Sequence, residues 1–164
     1  MRLRLIAALS AFVLAPVLAP VLAHAQMRAP RVDSPAVDAR VKTTRSGAWE
    51  WHVQDGRRVA SVYTEDGASF TVMCPSRRGD PGVLSAFALG QAPTGRVRLS
   101  FDGGEARTLR FRGNSFVADT SRKAQRFQRM VARIKAGSRM RVAWDQGDIR
   151  LSLRGSSGAI GDCR

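Results

Sequence analysis

The chain is poor in the residues that carry most protein chemistry. Its 164 residues include two histidines, two cysteines, one tyrosine and three lysines. One histidine, His24, lies just past the N-terminal apolar run, which leaves His52. Two cysteines and one histidine are too few soft ligands for a structural zinc. No metal and no cofactor is therefore expected. His52 has no sequence-local acid beyond Glu50, so it reads as a strand surface residue rather than a general base. No glycine-rich loop follows a strand and opens a helix, which argues against nucleotide binding. There is no internal repeat. Acids are scarce as well: 13 Asp and Glu stand against 27 Lys and Arg, for a net charge of +14.

All but three of the basic residues (Lys42, Lys123 and Lys135) are arginine. A GC-rich codon set accounts for arginine over lysine. It does not account for the excess of base over acid. A charge this far from zero favours solubility and attraction to anionic partners, and says nothing about fold.

The N-terminus reads as an export signal. Arg2 and Arg4 precede an apolar run from Leu5 to Leu22, which ends at the small-x-small site Ala23-His24-Ala25. Pro16 and Pro20 break the run, so a spanning helix is disfavoured. Residues 1–25 are assigned to the signal, which takes two arginines and no acid with it. No cysteine follows the site, so lipid attachment has no acceptor there. No other stretch is apolar enough to span a bilayer. The location implied is periplasmic or secreted. Two cysteines in an exported chain imply one disulfide, Cys74–Cys163, with two free thiols as the alternative. It would close a loop of about 90 residues, worth roughly 4–5 kcal/mol in the chain-entropy account.

Residues 26–46 have no aromatic and no apolar period and read as a flexible lead-in. A single β-rich domain then spans 47–164. Trp49, Trp51 and Val53 share one strand face, expected to be a core face, with Glu50 and His52 opposite. Asp55-Gly56, Asp66-Gly67 and Asp102-Gly103-Gly104 mark hairpin turns rather than calcium loops, since no acidic cluster surrounds them. Val83 to Leu89 has little alternation and reads as a strand buried on both faces. Val97, Leu99 and Phe101 alternate with Arg96, Arg98 and Ser100. Leu109 and Phe111 alternate with Arg110 and Arg112, and Met140, Val142 and Trp144 with Arg139 and Arg141. One segment has a helical period instead. Ala124, Phe127, Val131 and Ile134 form an apolar stripe over about 121–136, with Thr120 or Ser121 as cap and Gly137 as stop. The fold class expected is mainly β: an antiparallel sandwich or half-open barrel of seven to eight strands, with one amphipathic helix across an opening.

Arginines fall in two patterns. Arg122, Arg126, Arg129 and Arg133 lie at i, i+4, i+7 and i+11, one stripe on the helix. Arg96, Arg98, Arg110, Arg112, Arg139, Arg141, Arg150 and Arg154 alternate with core positions on strands. If those strands are neighbours, their outer face is an arginine field suited to phosphate or carboxylate groups. A solvated outer face written in a GC-rich codon set is the plainer alternative. Trp49, Trp51 and Trp144 are all placed on core faces, where packing outranks stacking on a ligand. Gly155-Ser156-Ser157-Gly158 is one residue short of a nucleophile elbow and reads as a turn that positions Cys163.

The tail Leu151-Ser152-Leu153-Arg154-Gly155-Ser156-Ser157-Gly158-Ala159-Ile160 resembles the end of small exported bacterial domains of the invasion-associated locus B type. Ala48-Trp49-Glu50-Trp51 is similar to their opening tryptophan strand. The Leu-x-Leu-x-Gly…Ala-Ile…Cys ending is also similar to accessory proteins of type VI secretion. The resemblance implies an envelope protein without known catalysis, and it carries over no catalytic residue. The function expected is a non-catalytic binding or accessory domain for an anionic envelope polymer or an acidic protein, with nucleic acid ranked lower. The alternative is a small inhibitor of an envelope or host hydrolase, acting through the loop Ser76 to Pro81.

Overall fold

The computed structural model describes residues 47–88 and 91–164. The expected signal and lead-in lie outside the described residues. Nine strands and two helices follow in order: β1 (Trp49–Gln54), β2 (Arg57–Tyr63), β3 (Ser69–Met73), β4 (Val83–Phe87), β5 (Gly95–Phe101), β6 (Arg107–Phe111), β7 (Ser115–Val117), α1 (Ser121–Ala136), β8 (Arg139–Trp144), β9 (Gly147–Ser152) and α2 (Ser156–Ile160).

The strands form two antiparallel sheets, one ordered β1-β2-β3-β4-β7 and one ordered β6-β5-β8-β9, with no closed barrel. Hairpin chemistry sets the local order. Asp55 and Gly56 both take positive φ, 51° and 71°, the pair that a two-residue turn needs to match the twist of β1 and β2. The strand alternation then buries one face of each sheet against the other. Val62, Phe70, Val72 and Leu84 of the first meet Val97, Leu99, Met140 and Val142 of the second in one core.

Two sequence expectations are corrected by this packing. β4 is not buried on both faces. Leu84 and Ala86 are buried, Val83 and Ser85 are half-buried and Phe87 is exposed. Its sheet has the second sheet on one side only. β1 is the other correction. Register puts Trp49 opposite Val62 and Trp51 opposite Ala60, so the side of the sheet is the expected one. The core stops at Trp49, however, and Trp51 is 53% exposed and Val53 63%. The first sheet has five strands and the second four, so its first strand overhangs.

The helix α1 closes one end of the sandwich. Thr120 caps it, its side chain accepting from the Lys123 backbone N–H at 3.3 Å. Its buried stripe is Phe127, Met130, Val131 and Ile134; Ala124 is exposed and Met130 takes its place. Gly137 does end the helix, but not through a left-handed φ: its φ is −83°. A Cβ there would come within 2.9 Å of Leu153 Cδ1 and 3.1 Å of the Arg133 carbonyl oxygen, so the position is crowded for a larger residue.

The chain's last stretch ties the layers together. Cys74 and Cys163 are disulfide-bonded, with Cα atoms 5.1 Å apart. The expected turn at Gly155-Ser156 opens the one-turn helix α2. Arg58 donates from Nε to Ala159 O (2.7 Å) and from Nη2 to Gly158 O (2.9 Å), Lys135 Nζ donates to Gly161 O (3.0 Å), and Ser156 Oγ donates to Ile134 O (2.8 Å). The first three bonds satisfy carbonyls at the end of the short helix α2, and the fourth satisfies one in the last turn of α1.

Candidate functional site

The outer face of the sheet β6-β5-β8-β9 brings the strand arginines together. Arg96 lies directly opposite Arg110, Ser100 opposite Arg141, and Arg141 opposite Arg150. Arg98 lies between Thr108 and Ala143, and Arg139 pairs with Ser152. All six arginines are exposed, and the apolar side chains that alternate with them, from Val97 and Leu99 to Ile149 and Leu151, are packed inward. The expected field of arginines therefore exists as one contiguous face. Arg112 and Arg154 stand just past the ends of β6 and β9 and continue the alternation, both exposed.

One carboxylate interrupts the field. Asp148 accepts from Arg141 Nε at 2.9 Å and Nη2 at 3.2 Å, and lies 3.7 Å from Arg150 Nε. The pairing relieves the repulsion of two arginines placed directly opposite. Asp102, at the rim, is committed to the backbone: it accepts from Ser138 N and Arg139 N. Among the described residues, Arg96, Arg98 and Arg110 form no ion pair. Arg139 forms none either, so four of the six strand arginines are unpaired, and each can offer a planar fork of donors to a phosphate or carboxylate.

The helix stripe forms a second cationic surface. Arg126, Arg129 and Arg133 line a groove of about 500 Å³ with Ala106, Arg107, Thr108, Leu109 and Met130. Arg122, a turn earlier, is exposed and does not line it. Arg107 is the residue that sequence reading missed. It has the inward alternation of Leu109 and Phe111, but sits at the mouth of the strand where the core has ended. Its guanidinium is 3.3 Å from Glu105.

The remaining candidates lie apart from the two arginine surfaces. Ser156 is fully buried, with its hydroxyl committed to a helix carbonyl. His52 is exposed opposite Val59. Trp144 is buried, and its Nε1 has no partner among the described residues. Trp49 is half-buried and donates from Nε1 to Ser152 O at 2.9 Å, which fastens β1 to the end of β9. Trp51 lies under Arg58, 3.9 Å from guanidinium carbon to ring centroid. Among the described residues, no three His, Cys, Asp or Glu side chains come together as metal ligands. No helix of the described residues is long and apolar enough to cross a membrane.

A disulfide-closed two-sheet β sandwich with one arginine-covered face is the class these observations define. Residues 47–160 match the YfjT family, and the chain belongs to it. That match begins two residues before β1 and ends with α2, so it takes in every element described above. No curated protein and no solved structure matches the chain.

Proposed function

We propose that the protein is an exported, non-catalytic binding domain whose arginine face docks an anionic envelope polymer. One observation carries this reading: the two outer faces of the same sandwich are written differently. The face of β6-β5-β8-β9 holds six arginines at its outward strand positions. The outward face of β1-β2-β3-β4-β7 holds one, Arg57, and that side chain reaches back to the carbonyls of Cys74 and Pro81. Across that sheet the matching row reads Glu50, Ser61, Thr71, Ser85 and Ser115. A codon bias acts on every outward position alike, so it does not account for the difference. The buried disulfide supports an oxidising compartment.

The test is binding of the oxidised protein to lipopolysaccharide, peptidoglycan, an acidic glycan and nucleic acid across a salt series. Each neutralised phosphate contributes a log–log salt slope of about −0.7 to −0.9. Engagement of Arg96, Arg98 and Arg110 alone gives a slope of about −2 to −3 on that scale. Replacing those three with Gln removes that much of the slope. Weak and equal binding to all four materials, gone by physiological salt, refutes the reading.

A second reading has its own support. The loop from Cys74 to Pro81 is braced at both stems, because Arg57 donates to the carbonyls of Cys74 and Pro81. Inside it Ser76 donates to Asp80, whose carboxyl is held below its ordinary value first by that hydrogen bond. The exposed tip carries Arg77 and Arg78. A preordered loop of this kind suits an inhibitor that presents arginine to a hydrolase. A stoichiometric complex with a trypsin-like protease, lost in Arg77→Ala with Arg78→Ala, tests it.

A further inference from the structure

Four strand edges bound the two sheets, and they are not protected alike. β7 has three residues, too few to template another strand. β6 carries Arg107 and Arg110, and β9 carries Asp148 and Arg150. β1 is six residues long, with no proline, lysine or arginine. Its register runs unbroken from Trp49 opposite Val62 to Gln54 opposite Arg57, so no bulge turns it aside. Charge, proline, bulges and shortness are the devices that keep strand edges apart, and of these β1 has only the single charge of Glu50. Among the described residues nothing pairs with its outer edge. Trp51 and Val53 are also the two most exposed large hydrophobic residues described.

The strand is complementary to itself. Turned about a two-fold axis through Trp51, an antiparallel copy sets Trp51 opposite the partner's Trp51 and Trp49 opposite the partner's Val53. Those residues share one face of the combined sheet. On the other face Glu50 falls opposite the partner's His52, and the pair occurs twice by symmetry. Cross-strand aromatic pairs stabilise an antiparallel ladder, and the Glu50 carboxylate can accept a hydrogen bond from an imidazole N–H placed opposite it. A two-fold through His52 is poorer: it sets His52 against its own copy and Trp49 against Asp55 in the turn. The ring of Trp51 is held in advance by Arg58, itself fixed by Ala159 and Gly158 carbonyls, so little freedom is left to lose on pairing.

We infer that β1 is a homodimer edge: two copies of this chain pair β1 to β1 about Trp51 and join their five-stranded sheets into one of ten. Two strongly basic copies can meet here because β1 is the long edge without a cation. The pairing leaves the outer faces of both four-stranded sheets uncovered. It stands whether or not those faces bind anions.

The experiment is sedimentation of the oxidised protein over a wide concentration range, beside Val53→Lys, with melting curves for both. Val53 is mostly exposed, so Val53→Lys should melt where the parent does while its dimer weakens by at least tenfold. A second arm mixes Glu50→Cys protein with His52→Cys protein under mild oxidation, which leaves Trp51 and Val53 in place. The mixture should give a cross-linked 50-to-52 dimer in higher yield than either variant alone. A monomer at every concentration overturns the proposal. So does a Val53→Lys dimer as tight as the parent's, or cross-linking led by His52→Cys alone, which would place the axis elsewhere.

Discussion

Removing the Cys74–Cys163 bond should cost a large share of the stability this domain has to spare. The cysteines are 89 residues apart, so the bond closes a loop spanning most of the folded chain. In the chain-entropy account a loop of about 90 residues is worth about 4.6 kcal/mol at 25 °C. Both cysteines are buried, so Cys74→Ala with Cys163→Ala adds a small packing loss. A single domain is stable by about 5–15 kcal/mol in all, so the loss takes from about a third to nearly all of the total, and a domain at the low end of that range is unfolded at 37 °C without the bond. Urea titration of parent and variant checks this, followed by fluorescence of the buried Trp144. The denatured variant is freer to expand, so its m-value should rise as its midpoint falls. The bonds from Arg58, Lys135 and Ser156 to α2 and its surroundings do not depend on the disulfide, so near-ultraviolet dichroism below the variant's midpoint should match the parent. A loss below about 1 kcal/mol with an unchanged m-value would refute the argument. It would mean that α2 docks and constrains the chain without the bond.

Three further outcomes are expected. Gly82→Ala would set a Cβ 2.5 Å from Cε1 of the buried Phe127, and should cost about 1–3 kcal/mol, read as a drop in urea midpoint. Raising salt from about 10 mM to about 0.5 M should raise the melting temperature, because it screens the opposed Arg96 and Arg110; a flat or falling curve would mean that the arginine face carries no net repulsion. The third concerns pH. Asp66 is held below its ordinary value first by the Thr64 hydroxyl, Asp80 by the Ser76 hydroxyl and Asp119 by Lys123. A carboxyl with a lower pKa folded than unfolded contributes fully above its unfolded value and loses that contribution as pH falls through the folded one. Stability should therefore decline from about pH 4 downward, and changing all three to Asn should flatten that limb in acid urea titrations.

How much of this was legible in the sequence depended on the range of the interaction. Val97, Leu99 and Phe101 announced their face because alternation is a property of one strand. The stripe Phe127, Val131, Ile134 announced α1 for the same reason, and two cysteines in a chain whose N-terminus reads as an export signal announced their bond. Arg107 escaped because period alone placed it inward, and period cannot say where along a strand the covering layer ends. Gly82 escaped because its reason is a ring 45 positions away in the chain: Phe127 fills the space a side chain would need. The contiguity of the arginine face was a condition rather than a result at that stage. It needs β5 beside β8, so that Ser100 meets Arg141 across the whole of α1, and no local pattern fixes that pairing.

The same limit explains β1 and gives its error a use. Alternation put Trp49, Trp51 and Val53 on the core side, and the register agrees that they share the side of Ala60 and Val62. What alternation omits is the width of the opposing layer. A four-stranded sheet under a five-stranded one covers the middle strands first, and the last strand keeps a core-like sequence with no core beneath it. A side chain such as Val53 gains from burial only if something arrives to bury it, at about 25 cal/mol per Å² of apolar surface. On the four-stranded sheet the solvent-facing strand positions are written mostly in arginine, serine and threonine, while the outward side of the five-stranded sheet also carries the exposed Tyr63, Phe87 and Val117, none of them as exposed as Trp51 or Val53. At β1 the sequence writes inside. The mismatch between what the strand is written for and what covers it is the physical content of the dimer proposal. Val53→Lys separates the two readings, since a lysine at a position that stays in water costs nothing, and at a buried pairing edge it costs the interface.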